Sequence, residues 1–272
     1  MSNLSGDADS MPAHRALPML AVIALAIGPV SSLHAGTPCA FTEQGDGHVT
    51  EIVDSSSFRL DDGREIKLAG IETTVADPHR DARAALTALI ANHDVTLRGD
   101  DDAPDRYGRQ RAFVTLTGSG TLVQRELLAQ GDALAAADIA DPDCARLLGA
   151  AEAEARANHR GIWGAAVIKN AESPDDILSG IGRFTVVEGK VLSVRQAGAT
   201  TYLNFGYNWT RGFAVTISKR MMPVLETGGF AVKSLENRRI RVRGWVETQR
   251  GGNSGPRIDI LRVAQIEILN NN

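Results

Sequence analysis

The chain is poor in the residues from which metal centres and redox sites are usually built. Its 272 residues include two cysteines and six histidines, and neither type shows the spacing of a zinc site or a thiol redox pair. No Ser/His/Asp or Cys/His triad can be assembled from the sequence. Short-period repeats and low-complexity tracts are also missing, which argues against a repeat protein or a largely disordered chain.

Long apolar runs are nearly absent, and the one that exists lies at the beginning of the chain. It extends from Leu17 to Val30, follows a basic residue and precedes the small residue Ala35, as in a secretory signal. We therefore predict a signal peptide over residues 1–35, with Met11 as an alternative start, and a periplasmic or secreted mature chain without a transmembrane segment. An uncleaved membrane anchor is the alternative, although a spanning helix needs about 20 apolar residues and this run is shorter.

Both cysteines, Cys39 and Cys144, follow the predicted cleavage point. A single pair in an oxidising compartment predicts one disulfide, which would tie the start of the mature chain to a later helix. The alternative is two unrelated buried thiols.

Charge is divided unevenly along the chain. Residues 1–173 hold 15 Lys+Arg against 25 Asp+Glu, a balance of −10, whereas residues 174–272 hold 14 against 8, a balance of +6. The acidic part would repel nucleic acid unless a cation or local arginines intervened, and the basic part would attract it. The two parts are therefore expected to have different roles.

Strand and helix signals alternate over the first part of the mature chain. Val49 to Leu60 alternates apolar and polar residues, and Asp61 to Gly63 is a hairpin turn signal, so Arg64 to Ile71 is predicted to return as a strand. The same rules predict a helix capped by Asp77, strands at Asp94–Leu97 and Ala112–Leu116, a helix from a Thr121/Gln124 capping box to Gly131, and a helix over about 143–159.

The predicted fold class is β-rich α+β with two domains. Residues 36–166 form the first domain, and residues 167–182, with few core candidates, read as a linker. Residues 183–270 contain short β-rich runs between turn residues, which are typical of a small barrel or sandwich.

A series of short motifs follows the elements of the first domain. It consists of VDxxxF, a basic residue before LAGIE, a helix, DRYGR, a helix ending in QG and a helix ending in RGIW. From about Gly47 to Trp163 the chain thus resembles the thermonuclease, or staphylococcal-nuclease-like, family. The resemblance implies a five-stranded OB barrel with three helices, and an enzyme that cleaves phosphodiester bonds with a calcium ion.

Carboxylates that the resemblance assigns to this chemistry are missing. Residues 53–57 match the family's V-D-G-D-T, and Ser56 stands where the family has its metal-binding aspartate. Residues 71–75 match V-D-T-P-E, where Glu72 replaces a second metal-binding aspartate and Val75 replaces the general base. General-base help is typically worth about 10²- to 10⁴-fold in rate, so we expect weak or lost nuclease activity.

The positive charges of the family's site are better retained. Lys67 stands at the first catalytic arginine, and Arg109 of DRYGR matches the second. Lysine keeps the charge but loses the bidentate fork that grips a phosphoryl group. The alternative interpretations are an exposed strand lysine and a turn arginine paired with Asp105. Tyr107 is a candidate nucleic-acid contact that would otherwise only cover the barrel edge.

Calcium prefers 6 to 8 oxygen ligands, and the matched residues offer few carboxylates. We therefore expect no resident cofactor. The alternative is a weak calcium site at Glu72 with Asp54 or Asp77, in an active endonuclease whose catalytic residues are Lys67, Glu72 and Arg109.

The second domain contains a different set of candidate binding residues. In RRIRVRGWVE, strand alternation places Arg241, Arg243 and Trp245 on one face. Trp209 and Arg211 lie together in an earlier aromatic-rich stretch, YLNFGYNWTRGF. Arginines and exposed rings on one strand face are typical of OB folds that bind nucleic acid. The alternative is a solvated strand face beside an aromatic core cluster.

Together these features predict an exported, thermonuclease-like protein that binds nucleic acid or another polyanion through an OB-like second domain. The alternatives are an active calcium-dependent endonuclease and an envelope protein scaffold.

Overall fold

The computed structural model describes residues 39, 41–73, 81–164, 167–248 and 255–269. The predicted signal peptide, Val75 and Asp77 lie outside these ranges. Within them, no helix is both long enough and apolar enough to cross a lipid bilayer.

The first half of the described chain alternates strands and helices in the predicted order. Its strands are β1 (Thr42–Ile52), β2 (Ser57–Leu60), β3 (Glu65–Leu68), β4 (Ile71–Glu72), β5 (Asp94–Gly99), β6 (Gln110–Leu116) and β7 (Leu134–Ala135). Its helices are α1 (Ala82–Ile90), α2 (Val123–Gln130) and α3 (Pro142–Ala157).

Five of these strands close into a barrel. Their order is β1-β2-β3-β6-β5, and every neighbouring pair is antiparallel except β3 with β6. The short strands β4 and β7 pair separately beside the barrel. Inward-facing side chains such as Phe58, Ile66 and Val114 are fully buried, because alternate residues of a strand point to the same face. The predicted OB-like barrel is confirmed.

The helix ends show where local signals were read correctly and where they were not. Gly131 ends α2 in the left-handed conformation, with a φ of 73°, as predicted. The described α1 is capped by Asp81, whose carboxylate accepts hydrogen bonds from the backbone N–H groups of Arg83 and Ala84. The predicted cap, Asp77, lies outside the described residues. The capping box was wrong, because the fully buried Gln124 side chain bonds to the backbone of β6 instead.

The predicted disulfide is present. Cys39 and Cys144 are bonded, with their Cα atoms 4.5 Å apart and 105 residues between them in sequence. Cys144 lies in the first turn of α3, where Asp141 caps the helix by accepting from its backbone N–H. The bond therefore ties the chain just before β1 to a helix on the barrel surface.

The second half is built mainly of strands. They are β8 (Ile168–Asn170), β9 (Phe184–Lys190), β10 (Ser193–Ala197), β11 (Thr200–Asn204), β12 (Ala214–Ser218), β13 (Arg239–Thr248), β14 (Pro256–Ile260) and β15 (Ile266–Ile268). The helices are α4 (Pro174–Leu178) and α5 (Met222–Thr227). Residues 167–182, expected as a linker, thus include β8 and α4, and Ile177 is fully buried in the second core.

The second sheet repeats the strand order of the first barrel. Its order is β10-β11-β12-β14-β13-β9-β8, and β12 and β14 are parallel, as β3 and β6 are. β9 and β10 are separated by two residues, of which Val191 bonds to the start of β13 and Leu192 bonds to the end of β11. One bent strand thus pairs with both sides of the sheet, as β1 does in the first barrel. This is an OB-like arrangement.

The two halves are joined by an apolar cluster and a buried ion pair. Leu134, Trp163 and Phe184 belong to one buried cluster that draws on both halves. Beside it, Arg243 of β13 donates to both carboxylate oxygens of Glu152 on α3, at 3.0 and 2.7 Å. Residues 37–272 accordingly form one compact unit.

Candidate functional site

A tight turn between β1 and β2 forms the first side of the candidate site. The carboxylate of Asp54 accepts from the backbone N–H of Ser56 at 2.7 Å and from its hydroxyl at 3.2 Å, which is how short polar side chains stabilise turns. Ser56 and Ser57 are buried, at 3% and 0% exposure. We call residues 54–57 together with Lys67 and Glu72 the β2–β3 corner.

Lys67 of β3 points its ammonium group at this turn. Ser57 and Lys67 face each other across the β2–β3 ladder, and Lys67 Nζ donates to Ser56 Oγ at 2.8 Å. Ser56 is the residue at which the resemblance predicts the loss of a metal-binding aspartate. The corner therefore holds a side-chain cation that is hydrogen-bonded to a buried serine.

Glu72 lies on the other side of the corner, on β4. Partial burial raises the pKa of its carboxyl group, while the positive charge of Lys67 lowers it. Asp138 raises and Arg111 lowers the same pKa, and these two residues form an ion pair of 2.9 Å with each other. Glu72 is therefore a half-buried acid whose electrostatic environment already includes two side-chain cations.

Arg109 lies in the turn before β6 and is held by Asp105. Its Nε and one terminal nitrogen donate to Asp105 Oδ2 at 3.0 and 2.8 Å, and both side chains are 21% exposed. The hydrogen bonds from Arg109 lower the pKa of Asp105 to about 2. Arg106 and Arg109 also lie over the ring of Tyr107, which is 67% exposed. The alternative pairing of Arg109 with Asp105 is thus the one observed.

The oxygen atoms of the β2–β3 corner do not form a suitable set of ligands for a calcium ion. Calcium prefers 6 to 8 oxygen ligands including carboxylates, whereas one oxygen of Asp54 already accepts two bonds from Ser56 and the serine hydroxyl accepts from Lys67. Within the described ranges, no three His, Cys, Asp or Glu side chains are grouped so that they could hold a metal. An ammonium group in the corner would also repel a divalent cation.

Comparison with known protein families supports the predicted resemblance of the first domain. Residues 65–165 match the family model described as Staphylococcal nuclease homologue. These residues belong to a thermonuclease-like domain. The match begins at β3 and extends past α3, so it includes Lys67, Glu72 and Arg109. A search of curated proteins found no match to the chain.

Outside the thermonuclease-like domain, the predicted arginine face of β13 has a different role. The alternation is as predicted, since Ile240, Val242 and Val246 are buried. However, the Arg241 and Arg243 side chains are each only 11% exposed. Arg241 pairs with Glu188 and Glu267, and Arg243 with Glu152 of the thermonuclease-like domain. These arginines are occupied by carboxylates and do not form an open phosphate-binding face.

The predicted aromatic residues are separated by the fold. Trp245 is 52% exposed and packs edge-on against Phe184 at the end of β13. Trp209 is 63% exposed, and it lies with Arg211 in the loop between β11 and β12. Trp209, unlike Trp245, lines a cavity of about 590 Å³.

Sequence reasoning missed most of the residues around that cavity. Arg195, Tyr202, Asn204 and Arg257 line it, although they belong to three separate strands, β10, β11 and β14. The available signal was weak, namely the alternation of polar residues in the β-rich runs around TTYLNF and PRIDI. Alternation shows that these residues share a face within each strand, but not which strands are neighbours.

Proposed function

We propose that this protein is an exported, thermonuclease-like binding protein for nucleic acid or a similar polyanion, with weak or no calcium-dependent hydrolysis. The single observation that carries the proposal is the hydrogen bond from Lys67 Nζ to Ser56 Oγ. It places a side-chain cation in the β2–β3 corner, and this positive charge opposes the binding of a divalent ion there.

Binding is supported by the charge distribution and by the fold. The chain from residue 174 onwards carries a balance of +6, from 14 basic and 8 acidic residues, and basic surfaces attract the phosphate backbone. The disulfide between Cys39 and Cys144 supports an oxidising location outside the cytoplasm.

The chemistry of hydrolysis is poorly served by the same residues. The guanidinium group of Arg109 is already hydrogen-bonded to Asp105, and Lys67 provides a single charge that cannot bind a phosphoryl group in a bidentate manner. Such a site can neutralise a phosphate, but it lacks the organised charge that stabilises a phosphoryl-transfer transition state.

The test combines calcium calorimetry with binding and cleavage assays on the purified chain. We expect no heat of calcium binding, no cleavage of denatured DNA, and salt-dependent binding of single-stranded DNA. A variant with Ser56→Asp, Lys67→Arg, Glu72→Asp and Val75→Glu is the matched control, because it restores the family residues at these four positions and should gain calcium affinity. Calcium-dependent cleavage by the unaltered chain that is lost in Arg109→Ala would overturn the proposal in favour of the endonuclease alternative.

A further inference from the structure

A polar groove on the outer face of the second sheet is the feature that the proposed function leaves unexplained. Its volume is about 590 Å³, within the range of about 300 to 1,000 Å³ typical of ligand sites. The residues that line it are Arg195, Gln196, Ala197, Thr200, Tyr202, Asn204 and Trp209 with Thr216, Ser218, Arg257, Asp259, Ile260 and Leu261. We call this set the second-sheet groove.

Strand register explains why these residues meet. Arg195 is paired with Tyr202, Tyr202 with Thr216, and Thr216 with Asp259, so one continuous rung crosses β10, β11, β12 and β14. Alternate residues of a strand share a face. The intervening residues, including Leu203, Val215 and Ile258, are fully buried in the core behind the groove.

The floor of the groove is polar and held in place. Arg257 is 5% exposed, its Nε lies 3.2 Å from Asp259 Oδ1, and its guanidinium also bonds to Glu247. Thr216 donates to the same oxygen of Asp259. Asn204, 7% exposed, donates to Ser193 at 3.2 Å. The floor thus offers a planar polar ligand a buried amide and an Arg–Asp ion pair, in which the buried Arg257 Nε has no hydrogen-bond partner among the described residues.

The wall of the groove offers aromatic surface. Trp209 is 63% exposed, although a large ring gains by burial and is usually covered. Tyr202, which is half-buried, also lines the groove. Exposed rings above a polar floor allow a flat ligand to stack on one side and form hydrogen bonds on the other.

Charge favours an anionic ligand over a neutral one. Arg195 is exposed, lines the groove and has no ion-pair partner among the described side chains. Lys219 and Arg220, which follow Ser218 directly, are likewise exposed and unpaired within the described part of the chain. Asp259, the only carboxylate among the described residues of the lining, forms an ion pair with Arg257. A neutral saccharide would use the ring and the floor, but it would leave these cations without a counter-charge.

We propose that the second-sheet groove binds single-stranded nucleic acid, with a base stacked on Trp209 and a phosphate at Arg195. This inference rests on the proposed function and names its binding site. Stacking plus backbone neutralisation is the general mode of single-strand recognition, because each base offers a flat face and each linkage a negative charge.

The experiment measures the anisotropy of a labelled oligothymidylate of about 16 nucleotides with the purified full chain over a range of salt. Trp209→Ala should weaken binding about 5- to 150-fold. Arg195→Ala should reduce the slope of log affinity against log salt by about 0.7, the value for one phosphate on a single strand. Trp245→Ala and Arg238→Ala are matched controls outside the groove and should bind as the unaltered chain does.

A second measurement reports on Trp209 directly. In a Trp245→Phe background, Trp209 is the exposed tryptophan that remains, because Trp163 is only 5% exposed. Stacking of a base should quench its fluorescence as oligothymidylate is added, with a midpoint that matches the anisotropy titration.

The outcomes separate the two proposals. If the unaltered chain binds and the Trp209 and Arg195 variants bind equally well, the groove assignment is wrong while the proposed function stands. If the unaltered chain binds no nucleic acid at any salt concentration, both are wrong. Trp209-dependent binding of a neutral oligosaccharide without binding of oligothymidylate would also overturn the assignment.

Discussion

Replacing Arg243 with methionine should strongly destabilise the junction between the two halves. Glu152 is 2% exposed at its side chain, and its carboxylate accepts two bonds from Arg243, one from the Ala135 N–H at 2.8 Å and one from Arg156 at 3.4 Å. Removing one partner of a buried ion pair costs about 3 to 5 kcal/mol, because the remaining charge is left uncompensated.

The lower end of that range is the better expectation here. Arg156 and the Ala135 N–H still reach Glu152 after the substitution, so the carboxylate is not left bare. A loss of about 3 kcal/mol corresponds to a fall of about 6 to 12 °C in Tm for a chain of this size. Arg239→Met is the matched control, since Arg239 is exposed on the same strand and should change stability by about 0.5 kcal/mol or less.

Urea unfolding followed by circular dichroism, together with calorimetry, tests this reasoning. The double variant Arg243→Met, Glu152→Leu should recover part of the loss, since it removes both buried charges. Recovery should be incomplete, because the Ala135 N–H then loses its acceptor. If Arg243→Met unfolds at the same urea concentration as Arg239→Met, the pair contributes nothing and the argument fails.

Three further predictions concern the first barrel. Removing the disulfide with Cys39→Ser and Cys144→Ser should cost about 4 to 5 kcal/mol, because the bond closes a loop of 105 residues; urea unfolding measures it, and a loss under 1 kcal/mol would contradict the loop model. Arg109 lowers the Asp105 pKa to about 2, so the stabilisation from this ion pair is complete above the ordinary pKa of 3.8 and is lost as pH falls towards 2. The difference in unfolding free energy between the unaltered chain and Asp105→Asn should therefore shrink over that pH range, and a constant difference would refute the prediction. Burial raises the Glu72 pKa above 4.5, so Glu72→Gln should gain stability relative to the unaltered chain as pH rises through and above 4.5; equal pH profiles would exclude this.

Local sequence signals predicted much of the first barrel. The turn at Asp61–Gly63, the strands that follow and the end of α2 at Gly131 all depend on residues close together in the chain. The pairing of Cys39 with Cys144 was predicted from the cysteine count together with the predicted export to an oxidising compartment. Such features can be predicted because each depends on a local backbone conformation, or on the number of residues of one type, that can be read directly from the sequence.

The sequence predictions were wrong where a polar side chain can form hydrogen bonds either with residues close in sequence or with residues far away in sequence. Gln124 matched a capping box but inserts against β6, since a buried backbone edge gains more from its amide than an exposed helix start does. Arg241 and Arg243 alternated correctly, yet they meet acids that lie 53 and 91 residues away in sequence. Alternation along a strand predicts which residues share a face, whereas the residues that cover this face are known only from the fold.

The sequence by itself indicated a thermonuclease-like domain, the shortage of carboxylates that this resemblance implies, and the division of charge along the chain. Tertiary structure alone decided that Lys67 bonds to Ser56, that two arginines join the halves, and that Arg195, Tyr202 and Asp259 share one rung. The physical reason is that the strength of a charge or a hydrogen bond depends on burial and on the partner, and both are set by strand register between segments distant in the chain.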